Sequence, residues 1–243
     1  MARAPVTASR VVAIVPALDA AATIGAVVTG LRGRAPFQAD DSVIVVDDGS
    51  SDSTSDIAVA AGALVVRHVE NRGKGAALRT GLAEARALGA TTAVSVDADG
   101  QHFPEEAEKL ALHPAPATAL VLGVRDLVRD GAPPANRFSN GISNFFLSLF
   151  SGQTLHDTQC GLRRYPVEET LALDGRDDGY AFEAECVLRA ARAGLAILEV
   201  PVRVYYPLES ERVTHFHVVR DPARIVYRVL ATLATPSAFR KRS

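Results

Sequence analysis

The residues able to do chemistry in this chain stand in short polar clusters, each placed after an apolar run. The clearest is Asp97-Ala98-Asp99-Gly100-Gln101-His102. Side chains alternate faces along extended backbone, so Asp97 and Asp99 can point the same way. Two such carboxylates make a hard oxygen site suited to Mg²⁺ or Mn²⁺, completed by water and substrate phosphates. Gln101 adds a neutral oxygen at the same spacing. An ion held there would neutralise a departing diphosphate as a Lewis acid. The plain structural alternative is a polar turn whose aspartate caps the next helix. Asp47-Asp48-Gly49-Ser50-Ser51-Asp52 closes another apolar run. A carboxylate there can accept hydrogen bonds from a nucleoside base or ribose, and it can equally well cap a helix. Asn71-Arg72-Gly73-Lys74-Gly75 offers backbone N–H groups and the Lys74 ammonium to a phosphate or a base edge. It lacks the spacing of a P-loop, and a solvated basic loop is its structural alternative.

These clusters need elements to position them, and the hydrophobic pattern supplies candidates. Apolar runs at 11–15, 42–46, 64–67 and 93–96 predict strands covered on both faces. Between them, Ile24, Val27, Val28 and Leu31 recur at helical spacing. A second helix ends near Gly62, and a third runs from about Gly75 to Gly89 with Leu78, Leu82 and Ala85 on one face. Strands alternating with helices imply an α/β fold with a mostly parallel sheet sandwiched by helices. Ligands of such sheets lie beyond the carboxyl ends of the strands, where residues 16–19, 47–50 and 97–102 fall. The second half reads as a strand at 119–123, a loop at 131–136 and a helix over 137–150 with an apolar end. A helix over 182–193 closes at Gly194, and a strand over 196–206 is broken by Pro201. A last helix takes Asp221 as N-cap and Pro222 at its first position. Its apolar stripe is Ile225, Val226, Val229, Leu230 and Leu233, and the chain ends on Arg240, Lys241 and Arg242.

The bulk properties narrow the function. With 243 residues, 48% of them hydrophobic, the chain suits one well-packed domain. A formal net charge of −2 gives no field to gather nucleic acid. Cys160 and Cys186 match no metal-ligand spacing and read as free thiols of a reducing compartment. The first ten residues lack a signal-peptide core, and no apolar run reaches the roughly 18 residues that span a bilayer. The expectation is a cytoplasmic protein, with peripheral attachment at the inner face of the cytoplasmic membrane left open, as is a homodimer.

Five motifs together resemble the family 2 glycosyltransferases. They are Val-Pro-Ala-Leu-Asp at 15–19, Val-Asp-Asp-Gly-Ser at 46–50, Asn-Arg-Gly-Lys-Gly at 71–75, Asp-Ala-Asp-Gly-Gln-His at 97–102 and Asp-Thr-Gln-Cys-Gly-Leu-Arg at 157–163. The nearest branch by resemblance is the dolichyl- or polyprenyl-phosphate sugar synthases, and the match runs from about Val11 to Asp221. The resemblance implies a GT-A (Rossmann-like) fold with a C-terminal helical extension, a divalent metal on Asp99 and Gln101 beside Asp97, and inversion at the anomeric carbon. It divides one domain into a nucleotide-binding half (11–123), an acceptor and sugar half (124–219) and an amphipathic helix with a basic tail (220–243). It places Pro16, Ala17, Asp19, Asp47, Asp48, Lys74 and Ala98 at the nucleotide sugar. Arg125, Arg137, Asn140 and Asn144 fall where the family gathers groups for acceptor and sugar phosphates, for which the planar guanidinium fork is suited. Asp157 and Gln159 would line the sugar pocket, Glu183 and Glu185 would present a carboxylate near the acceptor, and His215 and Arg220 would close over the diphosphate.

The sequence departs from the family where Leu18, Asp19 and Ala20 replace the usual aromatic, Asn and Glu of the first motif, and where Leu162 replaces an aromatic. The expected reaction is transfer of a sugar from GDP-mannose or a UDP-hexose to a polyprenyl phosphate. A soluble or saccharide hydroxyl is the alternative acceptor. Two readings of another class are nucleotidyl transfer, which the missing Gly-rich basic loop after the first strand disfavours, and an inert nucleotide-binding module.

Overall fold

The computed structural model describes residues 10–206. His215, Arg220, the helix expected from Asp221 and the basic tail lie outside the described residues.

The apolar runs form strands β1 (Val11–Ala17), β2 (Val43–Asp47), β3 (Leu64–Arg67) and β4 (Thr92–Ser95). Between them lie α1 (Ile24–Arg32), α2 (Thr54–Ala60) and α3 (Lys74–Ala87). After β4 come α4 (Pro104–Ala111), β5 (Leu120–Arg125) and α5 (Pro134–Ser151). The described part ends with β6 (Arg163–Pro166), α6 (Val167–Ala172), α7 (Ala181–Ala193) and β7 (Ile197–Val202). One seven-stranded sheet runs in the order β3-β2-β1-β4-β6-β5-β7. Its pairs are parallel except where β6 runs antiparallel between β4 and β5. Two apolar layers cover it. One sets Ile14, Ile44 and Val46 against Leu78 and Leu82 of α3, and the other sets Val15 and Val45 against Ile24, Val28 and Leu31 of α1.

Several elements depart from the sequence expectation, α4 and α6 among them, and for three others the physical reason is direct. β6 is absent from the hydrophobic pattern because it reads Arg-Arg-Tyr-Pro, yet all four residues are buried. Burying guanidinium groups is tolerable only when their N–H groups are bonded. Arg163 donates to the carbonyls of Cys160, Glu183 and Thr158, and Arg164 to those of His113, Ala115 and Pro116. Pro201 does not break the last strand. β7 lies at the edge of the sheet, where a residue without an N–H costs no ladder bond. The expected loop at 131–136 is shorter, because α5 begins at Pro134, whose fixed φ suits a helix start.

The antiparallel β6 has a functional consequence. It brings its own beginning, preceded by the segment from Asp157 to Leu162, to the edge where β4 and β5 end. The clusters after β1, β2, β4 and β5 and the segment before β6 therefore share one rim.

Candidate active site

The rim is built from carboxylates that mostly organise backbone. Asp19, with φ +48°, accepts hydrogen bonds from the Ser51 N–H at 2.8 Å and the Ser51 hydroxyl at 3.1 Å, and its own N–H donates to Ser50 Oγ at 2.9 Å. This locks the end of β1, where Pro16 is half-buried and Ala17 buried, to the loop after β2. Asp47 is fully buried, accepts the Ser50 N–H at 2.8 Å and the Ser55 hydroxyl, and pairs with Arg67. Burial alone would raise its carboxyl, but these hydrogen bonds and the Arg67 charge hold it below the ordinary value. Asp48 accepts the N–H groups of Arg72 and Gly73 at 3.0 and 2.7 Å and contacts His68 Nδ1 at 2.6 Å. His68 Nε2 in turn meets Thr80 Oγ1 at 2.9 Å. Asp48 thus shapes the 71–74 loop.

That loop delivers Lys74 to the centre. Its ammonium lies 2.7 Å from Asp97 Oδ1 and 3.1 Å from Glu183 Oε2, and 5.7 Å from the centroid of the Tyr180 ring. Burial would lower its pKa, yet the two carboxylates outweigh burial and raise it, so Lys74 is cationic. Asp97 shows the mirror effect: burial pushes its carboxyl up, but Lys74 and His102 pull it far below the ordinary range. His102 Nε2 sits 3.5 Å from Asp97 Oδ2. Asp99 keeps exposed surface. Desolvation by the protein around it, and then the Asp97 charge, still raise its carboxyl above the ordinary value. Its Oδ1 accepts the Gln101 N–H at 3.0 Å, and Gln101 is half-buried beside it. Ala98 is buried, and its carbonyl accepts the Thr23 hydroxyl at 2.6 Å.

Asp97, kept ionised by Lys74 and His102, and Asp99, whose proton affinity the Asp97 charge raises, stand together just after β4 and fit a hard divalent ion. Among the described residues no three His, Cys, Asp or Glu side chains converge on one point, so such an ion would complete its shell with water and phosphate oxygens.

Gly161, which carried no role in the sequence reading beyond its place in a motif, presses on Asp97. A Cβ built on Gly161 overlaps the Asp97 carboxylate, and Ser95 Oγ fixes the Gly161 carbonyl at 2.6 Å. Gly161→Ala is therefore expected to push Asp97 aside and cut kcat about a hundredfold, the scale of a small misplacement at a reacting centre. Circular dichroism should show an intact fold. Full activity in the folded variant would mean that the position of Asp97 does not matter.

A second cluster surrounds Asp157. Arg125 forks onto both of its oxygens, Nε to Oδ2 at 2.7 Å and Nη2 to Oδ1 at 3.0 Å. Asn140 Nδ2 donates to Oδ1 at 3.0 Å, and Arg125 Nη1 donates to the Tyr206 hydroxyl at 3.3 Å. Gln159 exchanges a hydrogen bond with Ser139 on α5 at 3.0 Å. Asn144 accepts from the Thr158 N–H at 2.9 Å and donates to the His156 carbonyl at 2.6 Å. Arg137 stands exposed on α5, with no side-chain hydrogen bond or ion pair among the described residues. Burial pushes the Cys160 thiol up to about 12, so it stays protonated beneath this cluster.

The structure brings Lys74, Asp97 and Glu183 together and sets Asp99 and Gln101 alongside. It does not bring Glu185 in: both its oxygens are taken, by the N–H groups of Arg176 and Asp177 at 2.9 Å and by Arg189 at 2.8 Å. Glu183 differs, because its buried Oε1 has no hydrogen-bond partner among the described residues. The carboxylates of Asp47 and Asp48, the Lys74 ammonium and the Arg125 fork, expected to face substrate, are held by protein groups in this structure. Sequence reading missed His68, Gly161, Arg163 and Tyr206, whose roles depend on partners distant in the chain.

Acidic and basic groups gathered beyond the strand ends of a mostly parallel sheet stand where ligands of such sheets bind. The chain belongs to glycosyl transferase family 2, whose family model matches residues 12–171, and it is a glycosyltransferase of that family. It stands close to the polyprenyl-phosphate sugar synthases. The UDP-N-acetylglucosamine–dolichyl-phosphate N-acetylglucosaminyltransferase of Methanococcus voltae is 29% identical over 217 residues, covering 79% of this chain and 84% of that protein. The undecaprenyl-phosphate mannosyltransferase of Micrococcus luteus is 28% identical over 204 residues, covering 79% of this chain and 82% of that protein. Among solved structures, glucosyl-3-phosphoglycerate synthase from Mycobacterium tuberculosis, in complex with Mn²⁺, UDP and phosphoglyceric acid, shares the fold. Its TM-score is 0.70 at 23% identity over 95% of this chain and 81% of that one.

Proposed function

We propose that this glycosyltransferase moves a sugar from a nucleoside diphosphate, GDP-mannose or a UDP-hexose, to a polyprenyl phosphate with inversion at the anomeric carbon. The bond from an acceptor phosphate oxygen to the anomeric carbon forms as the bond to the diphosphate oxygen breaks, and the nucleoside diphosphate leaves. A phosphate nucleophile is already ionised at neutral pH, so no strong base is required.

In this reading Asp97, Asp99 and Gln101 would hold Mg²⁺ or Mn²⁺, which supplies charge neutralisation to the departing diphosphate. Pro16, Ala17, Asp19, Asp47, Asp48 and Ala98 frame the nucleoside and its ribose, several of them through the backbone they shape. Arg125, Arg137 and Asn140 serve the phosphates, and Asp157 and Gln159 the sugar. The division at 123–124 separates donor from acceptor residues. Relatives named for dolichyl-phosphate and undecaprenyl-phosphate acceptors support the lipid reading.

The observation that carries the lipid acceptor is the inverted polarity of α5. Its buried residues are Ser139, Asn140, Ser143 and Leu147, three of them polar and hydrogen-bonded to the 157–159 segment. Phe138, Phe145 and Leu149 are 73%, 64% and 61% exposed on the other side. A helix that turns its polar face inward and its apolar face outward suits a nonpolar partner. No helix among the described residues is long and apolar enough to cross a membrane, so contact through such a face is interfacial.

A second reading is favoured by one feature. The Glu183 Oε1 oxygen, which accepts no hydrogen bond among the described residues and lies 3.7 Å from Arg163 Nε, is suited to a general base, which a hydroxyl acceptor would need and a phosphate would not. A transfer assay offering polyprenyl phosphate in anionic vesicles against soluble saccharides and phosphoglycerate decides between them. The lipid phosphate is expected to be glycosylated and the protein to co-sediment with the vesicles. Efficient transfer to a soluble hydroxyl with none to the lipid would overturn the lipid reading and give Glu183 the role of base.

A further inference from the structure

Lys74 sits in an electrostatically unfavourable place for a lysine. It is the first residue of α3, where the helix dipole presents positive potential and where no acidic residue occupies the first turn. The fold nonetheless forces it there. Gly75 lies so close to the carbonyls of Asp177 and Gly179 that a Cβ would overlap them, and the N–H groups of Gly75 and Ala76 both donate to the Asp178 carbonyl, at 2.8 and 3.1 Å. On its other side, Asp48 holds the Arg72 and Gly73 N–H groups. The ammonium so placed touches two carboxylates from opposite parts of the chain, Asp97 after β4 and Glu183 in the first turn of α7. Asp99 makes a third carboxylate nearby. The other groups facing this cluster are the Arg163 guanidinium, 3.7 Å from Glu183, and the His102 imidazole, 3.5 Å from Asp97.

We propose that Lys74 is a built-in counter-cation: a positioning residue that holds Asp97 and Glu183 in one frame and competes with the divalent ion for Asp97. Its ammonium is spent on protein carboxylates rather than on the donor. Without it, Asp97 and Glu183 would repel one another, and both would be drawn to a divalent ion, binding it more tightly in a geometry unsuited to transfer. With it, the ion is held by less charge, and Glu183 keeps a fixed place beside the reacting groups. This inference rests on the metal reading of Asp97 and Asp99.

The two effects have opposite signs, which distinguishes the proposal from a merely structural role. Mn²⁺ binding to the full-length protein without substrate, read as free Mn²⁺ by electron paramagnetic resonance, is compared with steady-state kinetics for wild type, Lys74→Met and Lys74→Arg. Removing one positive charge in contact with a ligand carboxylate should tighten Mn²⁺ binding by at least about threefold. Over the same substitution kcat should fall by about a hundredfold, while the donor KM changes far less. Lys74→Arg should keep Mn²⁺ affinity near wild type and restore part of kcat. Lys74→Gln, which keeps a hydrogen-bond donor without charge, supplies the same comparison if the methionine variant does not fold. Unchanged or weaker Mn²⁺ binding in a folded, uncharged variant would overturn the counter-cation alone. Wild-type protein that binds no Mn²⁺ would overturn the metal reading and the competition with it.

Discussion

Asp99→Ala is expected to lower sugar transfer by at least about a hundredfold, the cost of removing one group that stabilises developing charge, while leaving the melting temperature nearly unchanged. The separation follows from the position of Asp99. It keeps exposed surface, belongs to neither apolar layer, and makes one side-chain hydrogen bond among the described residues, to the Gln101 N–H. Substitutions at such positions usually stay within about 0.5 kcal/mol of wild type. Its proposed task is confined to the divalent ion and the diphosphate. A well-folded Asp99→Ala enzyme with near-normal turnover would remove Asp99 from the metal assignment, whatever became of Asp97.

Asp157→Asn should give the largest loss of stability. The substitution keeps the shape of the side chain and removes its charge, leaving the mostly buried Arg125 guanidinium without its counterion. Breaking a buried pair from one side costs about 3–5 kcal/mol, which in a chain of this size lowers Tm by about 10 °C. The pair also has a pH signature. Burial would raise the Asp157 carboxyl, but the Arg125 charge and hydrogen bonds hold it below its ordinary value of 3.8. As pH falls through that value the unfolded chain takes up the proton first, so folding loses this contribution on acidification and retains it above. Wild-type protein should lose stability below about pH 4, and Asp157→Asn should show a flatter acid limb. Thermal melts of both proteins across pH 3–7 measure this. A Tm within two degrees of wild type at neutral pH would mean that Arg125 finds other partners.

Much of the sheet was legible because burial on both faces demands apolar runs, and β1, β2, β3 and β4 have them. α7 was legible through Gly194, which takes φ +74° to end it. β6 was not, because its solvation is supplied by carbonyls of distant segments, and no local pattern announces that an Arg-Arg pair will be buried. α4 offered a proline at its start and two acidic residues in its first turn, but few large apolar residues to reveal its period.

The site divides in the same way. Asp97 and Asp99 could be singled out because they follow the apolar run that forms β4, although Ala98 and Asp99 lie in a turn and not on the extended backbone expected. That Lys74 would bind Asp97 and Glu183, that Arg125 would fork onto Asp157, and that Gly161 would make room for Asp97 are contacts between segments far apart in sequence. Residue spacing holds no information about them. The same limit explains Glu185, which motif position set level with Glu183 but which the fold ties to Arg189 and the 176–177 backbone.

The measurement that tests this account most directly is product analysis of the full-length enzyme with candidate nucleotide sugars, Mn²⁺ and polyprenyl phosphate, with and without a chelator. The expected result is a sugar joined to the lipid phosphate with inverted anomeric configuration, release of the nucleoside diphosphate, and loss of both products when the metal is removed. Transfer of the nucleotide instead of the sugar, retention of configuration, or undiminished transfer in the presence of the chelator would contradict it.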